Sequence, residues 1–382
     1  ALRTLDRDAH SLLLDEAGRA RRAALQRDHL ALRDAIAHDR AEDWRYAKAE
    51  REQRESRRAE QLREAEALLD DALLGWVGAP LECNSLAQPG EGELWLVQFP
   101  TAQGDGDWLF ALDAHGVALA AMPAGAQGAE LALAELAPRI RDATQLRVIP
   151  TGEGWSLPFH ALRFDAGVLL DVAPIVWGLD LGQRRARLAR EQPRALVVAD
   201  PTEDLPHARE EAERVAARLD AQGFAVERLE GAAATREALI ARLGEVERFH
   251  YAGHGTHAGA SGWQAALLLH EGGRLEVSDI LTLPAVPSAV LLTGCDTATV
   301  ALDTLEGGMN LGRAFVLAGS DWVLAAEGKV DDALALEVGE TLAQVEGGSR
   351  AAAASLRTLQ LRLRASDSVD SRAWPAFRVI VP

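Results

Sequence analysis

The sequence predicts an α/β protein: a mostly parallel sheet with helices on both faces, preceded by a long α-helical hairpin. Two observations carry that expectation. From Arg194 onward, short apolar runs and amphipathic stretches alternate in strict succession, as strands joined by helical crossovers do. Up to residue 78, by contrast, there is no proline, and only Gly18, Gly75 and Gly78 interrupt a stretch rich in Ala, Leu, Arg and Glu, all strong helix formers.

Two helices account for that first stretch, about Leu2 to Ile36 and about Glu42 to Leu74, with His38-Asp39-Arg40 near the turn. Leu62, Ala65, Leu69, Ala72 and Leu73 recur at helical spacing, so the end of the second helix buries one face. Its middle, Arg51 to Glu60, is almost wholly charged, which suits a solvated face laced with short-range ion pairs. Such a pair serves either as a docking arm for a partner or sensor, or as a brace.

Composition changes at Trp76-Val77-Gly78-Ala79-Pro80. Glu93 to Phe99, Trp108 to Asp113 and Val117 to Met122 then read as strands, with hairpin turns at Gly104-Asp105-Gly106 and Ala114-His115-Gly116. A helix from about Leu131 to Arg141 leads to a strand at Leu146 to Ile149. Ser156 lacks the flanking glycines of a nucleophile elbow and reads as structural.

In the regular part, Ala195 to Ala199 is a strand, Ala208 to Leu219 a helix, Phe224 to Leu229 a strand and Arg236 to Leu243 a helix. Val246 to Gly253 follows as a buried strand ending in Gly253-His254-Gly255. After a hairpin around Leu267 to Leu275 and a helical turn near Ser278, the strand Ala289 to Thr293 breaks at Gly294 and delivers Cys295. A helix at Asn310 to Leu317, a strand at Trp322 to Ala325, two helices between Asp332 and Leu363 and a strand at Phe377 to Val381 complete the chain. Functional groups of open parallel sheets collect at the carboxyl ends of the strands, where His254 and Cys295 are both expected.

Composition narrows the chemistry. The net charge is -18, and residues 1–75 hold 15 basic and 17 acidic side chains against 25 and 41 in the remainder. An acidic body argues against direct nucleic-acid binding. The two cysteines, Cys83 and Cys295, lack metal-type spacing, so a reducing, cytoplasmic setting is expected. No apolar run is long enough to span a membrane. Neither a metal nor a cofactor is expected.

Three chemistries compete around His254. Gly253-His254-Gly255-Thr256-His257-Ala258 fits a loose dinucleotide fingerprint, but Ala258 to Gly262 opens a helix poorly. His250, His254 and His257 with Cys295 offer metal-ligand types, on strand and loop rather than on a helix. The third is a cysteine nucleophile with a histidine base, which must be adjacent in the fold but not in sequence. A buried Cys with a capping His is the structural alternative.

Phe249-His250-Tyr251-Ala252-Gly253-His254-Gly255, Leu291-Leu292-Thr293-Gly294-Cys295-Asp296-Thr297-Ala298 and Glu306-Gly307-Gly308-Met309-Asn310-Leu311-Gly312-Arg313-Ala314-Phe315 resemble the CHAT family of caspase-like peptidases. Leu157 to Leu162, Val198 to Pro201, Val330-Asp331-Asp332 and Trp374 to Phe377 extend the resemblance over roughly residues 80–382. It divides the chain into a helical arm at 1–78, an N-terminal α/β part of the CHAT region at 79–165 and a caspase-like catalytic part at 166–382.

The resemblance implies a cysteine endopeptidase acting on a protein substrate, of a kind found in regulated bacterial defence and cell-death systems. A non-catalytic scaffold of the same fold is the alternative. Cys295 would attack the peptide carbonyl, His254 would assist proton transfer, and the backbone N–H groups of Gly255 and Cys295 would hold the oxyanion. The strand tips and loops that build the first specificity pocket in such folds carry Asp200, Asp296, Asp331 and Asp332 here. One or two of them receiving Lys or Arg would give a basic residue before the cut bond; capping of the following helices is the ordinary role for Asp200 and Asp332.

Overall fold

The computed structural model describes residues 16–75, 87–100, 106–181, 192–257, 262–300, 308–366 and 373–382. They fall into two compact units, one within Arg3–Asn84 and one within Ser85–Pro382.

The first unit is a pair of helices, α1 (Glu16–Ala41) and α2 (Lys48–Gly75), joined through a short 3-10 turn at Asp43–Arg45. The turn falls later than His38-Asp39-Arg40. Asp39 stays helical and, with Asp43, receives Arg58 of α2 through contacts of 2.6–2.9 Å, while Glu55 adds a third carboxylate at 3.1 Å. Those hydrogen bonds, led by that of Asp43, raise the Arg58 pKa above its ordinary value. The expected start of the first helix and the composition break at Trp76 to Pro80 lie outside the described residues.

The second unit runs β1 (Glu93–Pro100), β2 (Asp107–Asp113), β3 (Gly116–Met122), α3 (Gly125–Glu135), α4 (Ala137–Ile140), β4 (Gln145–Ile149), β5 (Arg163–Phe164), β6 (Gly167–Val168), β7 (Ile175–Gly178), β8 (Arg194–Ala199), α5 (Pro206–Ala221) and β9 (Ala225–Glu230). It continues through α6 (Arg236–Leu243), β10 (Arg248–Ala252), β11 (Gly255–Thr256), β12 (Ala266–Leu268), β13 (Arg274–Glu276), α7 (Val277–Thr282), β14 (Ala289–Leu292), α8 (Leu311–Ala318), β15 (Trp322–Ala326), α9 (Asp332–Ala343), α10 (Ser349–Ala365) and β16 (Phe377–Val381). The helix expected at 131–141 starts at Gly125 and breaks at Leu136, because Pro138 favours a new first turn. The tip of the β1–β2 hairpin lies outside the described residues, whereas the next turn is closed by Asp113 Oδ1 accepting the His115 N–H at 2.8 Å.

Eleven strands form one sheet in the order β3-β2-β1-β4-β7-β16-β15-β14-β10-β8-β9. It is mostly parallel, with antiparallel pairs only at β1–β2, β2–β3 and β15–β16. Strands from 79–165 and from 166–382 therefore share one sheet. β7, which the sequence reading omitted, bridges the two portions by pairing with β4 and β16.

Registers fix the two faces. Ala195, Val197 and Ala199 of β8 pack with Ala208, Ala212 and Val215 of α5, which recur at helical spacing. Phe249 of β10 stands opposite Leu196, so it points to the other face, where it meets Phe315 of α8 with ring centroids 5.9 Å apart. Both faces are thus covered, and the central strands, apart from Arg194 at the start of β8, are buried throughout rather than alternating. The α8 ends are set locally: Asn310 caps the first turn by accepting the Arg313 N–H at 2.8 Å, and Gly319 leaves it at φ 113°. Among the described residues, no helix is long and apolar enough to cross a membrane.

Candidate active site

Three adjacent strands, β8, β10 and β14, end side by side, and the loop after each contributes to one cavity. β10 pairs in parallel with β8 (Ala252 beside Ala199) and with β14 (Tyr251 beside Leu292). His254 follows β10 and Cys295 follows β14. Both line a cavity of about 360 Å³, open mouth included, together with Leu205, Glu211, Val330 and Asp332.

Glycines let the strand ends approach. A Cβ on Gly255 would overlap the Cys295 carbonyl oxygen, and one on Gly294 would overlap the Gly253 carbonyl oxygen and lie 3.1 Å from Gly255 N. A Cβ on Gly253 would stand 2.7 Å from the Tyr251 hydroxyl and 2.9 Å from Pro201. The Tyr251 hydroxyl lies 2.5 Å from Leu268 O and 2.9 Å from His254 O, and burial raises its pKa well above the usual phenol value.

Backbone direction follows from the same register. Leu268 N–H donates to His254 O at 2.9 Å, so Gly255 and Leu267 are the neighbouring non-hydrogen-bonded pair of the β11–β12 ladder. The N–H of Gly255 therefore turns away from β12. Strand β11, rather than a helix, follows Gly253, so the dinucleotide fingerprint lacks the helix start it requires.

The Cys295 loop is stitched to the loop after β15. Asp296 N–H donates to Gly328 O at 2.8 Å, Ala298 N–H to Ala326 O at 2.7 Å and Gly328 N–H to Thr299 Oγ1 at 3.0 Å. Val330 brackets Cys295 Sγ, its N–H 3.3 Å and its carbonyl oxygen 3.6 Å from the sulfur. Glu327 pairs with the buried Arg378, whose guanidinium sits 3.9 Å over the Trp177 ring.

The histidines have separate surroundings. His250 is buried with Nε2 2.9 Å from Glu211 Oε1, the oxygen that also accepts the Thr293 hydroxyl at 2.6 Å. His254 is partly exposed, with Nε2 3.1 Å and 3.2 Å from the two Asp204 carboxylate oxygens. The Asp204 pKa is lowered, first by the Thr202 hydroxyl and then by His254. Burial lowers the pKa of His257.

The four aspartates separate. Asp332 lines the cavity. Asp331 caps α9 by accepting the Ala333 N–H at 2.8 Å. Asp296, at φ 56°, accepts the Thr299 hydroxyl at 3.0 Å. Asp200 is fully buried and does not face the cavity: its carboxylate accepts the N–H groups of Asp204 and Leu205, both at 3.0 Å, and pairs with Arg209 at 2.7 Å. Asp204, Glu211 and Thr293 join the site without having been singled out from the sequence. Glu211 carried a signal, since it shares the buried stripe of α5 with Ala208, Ala212 and Val215.

A thiol and an imidazole lining one cavity are the side chains that acyl transfer through a thioester needs. A family model described as the CHAT domain matches residues 123–382. Among solved structures, two of the separase–securin complex of Saccharomyces cerevisiae match at 14% and 15% identity with TM-scores of 0.45 and 0.44. Each match covers 62% of this chain and 16% of that one, so the chain spans about a sixth of their length. A protein of Geobacter sulfurreducens matches at 19% identity and a TM-score of 0.23, over 37% of this chain and 74% of that one. No curated protein sequence matches the chain.

Proposed function

The chain belongs to the CHAT domain family, and from that premise we propose that it is a cysteine endopeptidase that cuts a protein partner after a basic residue. The observation that carries the proposal is the meeting of His254 and Cys295 in one cavity, at the ends of neighbouring parallel strands. Cys295 Sγ attacks the scissile carbonyl, and His254 takes up the thiol proton and passes it to the leaving amine. The N–H groups of Gly255 and Cys295 hold the oxyanion. Water then attacks the thioester and releases the new carboxylate, with His254 as base.

The basic preference rests on charge. Among its described lining residues the cavity carries the carboxylates of Asp332 and Glu211 and no Lys or Arg. A cationic side chain entering there gains a charge-assisted bond to Asp332 at the cavity wall. The family resemblance supports cleavage of one specific partner in a regulated, cytoplasmic bacterial defence or cell-death pathway, with the helices of 16–75 receiving a sensor or regulator.

A peptide-library profile with the products sequenced tests the proposal. The expected cuts follow Arg or Lys, vanish in Cys295→Ala and His254→Ala, and lose the basic preference in Asp332→Asn while Cys295 still titrates with a small alkylating agent. Cleavage after Leu, Met or Asp would remove the pocket assignment. Full activity in Cys295→Ala would remove the nucleophile.

A further inference from the structure

We propose that Asp204 is a positioning residue of this site, holding His254 in the tautomer with the proton on Nε2 so that Nδ1 is left as the base; the proposal rests on the peptidase reading above. A neutral imidazole that donates from one ring nitrogen accepts at the other. Both Asp204 oxygens face His254 Nε2, at 3.1 Å and 3.2 Å.

The loop after β8 is built to present that carboxylate. Asp200 N–H donates to Ala252 O at 2.9 Å, which fixes the start of the loop against β10, the strand that carries His254. Asp200, at φ 39°, then folds its buried carboxylate back onto the N–H groups of Asp204 and Leu205, and Glu203 follows the turn at φ 60°. Backbone in that region is costly for residues other than glycine and persists where the surroundings over-determine it. Arg209 closes the loop on Asp200 at 2.7 Å, and the Thr202 hydroxyl donates to Asp204 Oδ1 at 2.5 Å, setting the rotamer. Asp200, read from the sequence as a substrate carboxylate, thus supports Asp204 from beneath. Because the Asp204 side chain is 61% exposed and that of His254 38% exposed, solvent screens the pair. Its removal is expected to slow turnover on the order of 10- to 100-fold, less than the ~10⁴-fold seen where a buried triad carboxylate is neutralised.

The test compares wild type with Asp204→Asn, Asp204→Ala and Asp204→Glu in the full chain. Turnover is measured on a peptide with Arg before the cut bond, and the His254 imidazole is read by ¹⁵N NMR, assigned by its absence in His254→Ala. The expected result is a 10- to 100-fold fall in kcat with KM changed less than about threefold in Asp204→Asn and Asp204→Ala, and partial recovery in Asp204→Glu. In the spectrum, the wild-type imidazole carries its proton on Nε2, and the asparagine variant shows a tautomer mixture. Unchanged kcat in Asp204→Asn, a fall in kcat with an unchanged imidazole spectrum, or a wild-type proton on Nδ1 would each overturn the proposal. The spectrum needs no turnover, so a chain that cuts no peptide defeats the peptidase reading while the tautomer result still decides the role of Asp204.

Discussion

Gly294→Ala is the sharpest probe of how the two strand ends make the site. The new Cβ would overlap the Gly253 carbonyl oxygen and lie 3.1 Å from Gly255 N and 3.5 Å from Gly253 C. All three atoms are backbone, so no side chain can swing aside. Ordinary contact is restored only if the ends of β10 and β14 separate by about 1 Å. A displacement of about 1 Å between reacting groups costs on the order of 10² in rate, and forced overpacking destabilises by about 1–3 kcal/mol. The assay measures three quantities on wild type and variant: the rate of Cys295 alkylation by iodoacetamide, its rate of modification by a peptidyl electrophile, and the urea midpoint. Iodoacetamide needs only a free thiol and should react within a few-fold of wild type; the peptidyl reagent needs the oxyanion donors and should slow about 100-fold. Equal peptidyl rates in a folded variant would show that close approach of the two tips does not assemble the site.

Two further perturbations address the body of the protein. His160 is buried between Trp177 and Trp374, and burial, helped by Arg378, pushes its pKa down to about 3. The unfolded chain then binds a proton there that the folded chain refuses, so stability falls as pH drops below the unfolded value near 6.5, by about 2 kcal/mol at pH 5. Denaturant titrations should show a flatter change from pH 7 to pH 5 in His160→Gln than in wild type; equal slopes would contradict the assignment. Deleting residues 1–75 should leave a folded remainder that still reacts with a small active-site probe but loses cleavage of its protein partner. Aggregation, or a large fall in melting temperature, would mark those helices as a brace instead.

Much of this was legible in the sequence because parallel strands covered on both faces must be apolar throughout. Ala195 to Ala199 and Ala289 to Leu292 announce themselves locally, and all nine of these residues are buried. β7 does not, since Ile175–Gly178 is four residues long and exists as a strand through pairing with β4 and β16, distant in sequence. The helical turn slipped because Asp39 looks like a turn residue until Arg58, nineteen positions on, is seen to hold it. Asp200 was placed correctly at the sheet edge but not in direction, which depends on its φ of 39°. Asp204 reads as an ordinary turn acid; only the β8–β10 register brings it to a histidine fifty residues away.

If Cys295 is the nucleophile and His254 its base, the two act together on a peptide carbonyl. The most direct test is intact-mass and peptide-mapping analysis of the folded chain after exposure to an arginyl peptide bearing a thiol-reactive ketone, in wild type and in His254→Ala. The expected result is one adduct in the wild type, on Cys295, formed at least tenfold more slowly in His254→Ala. An unmodified Cys295 in the wild type, or equal rates in both proteins, would contradict it.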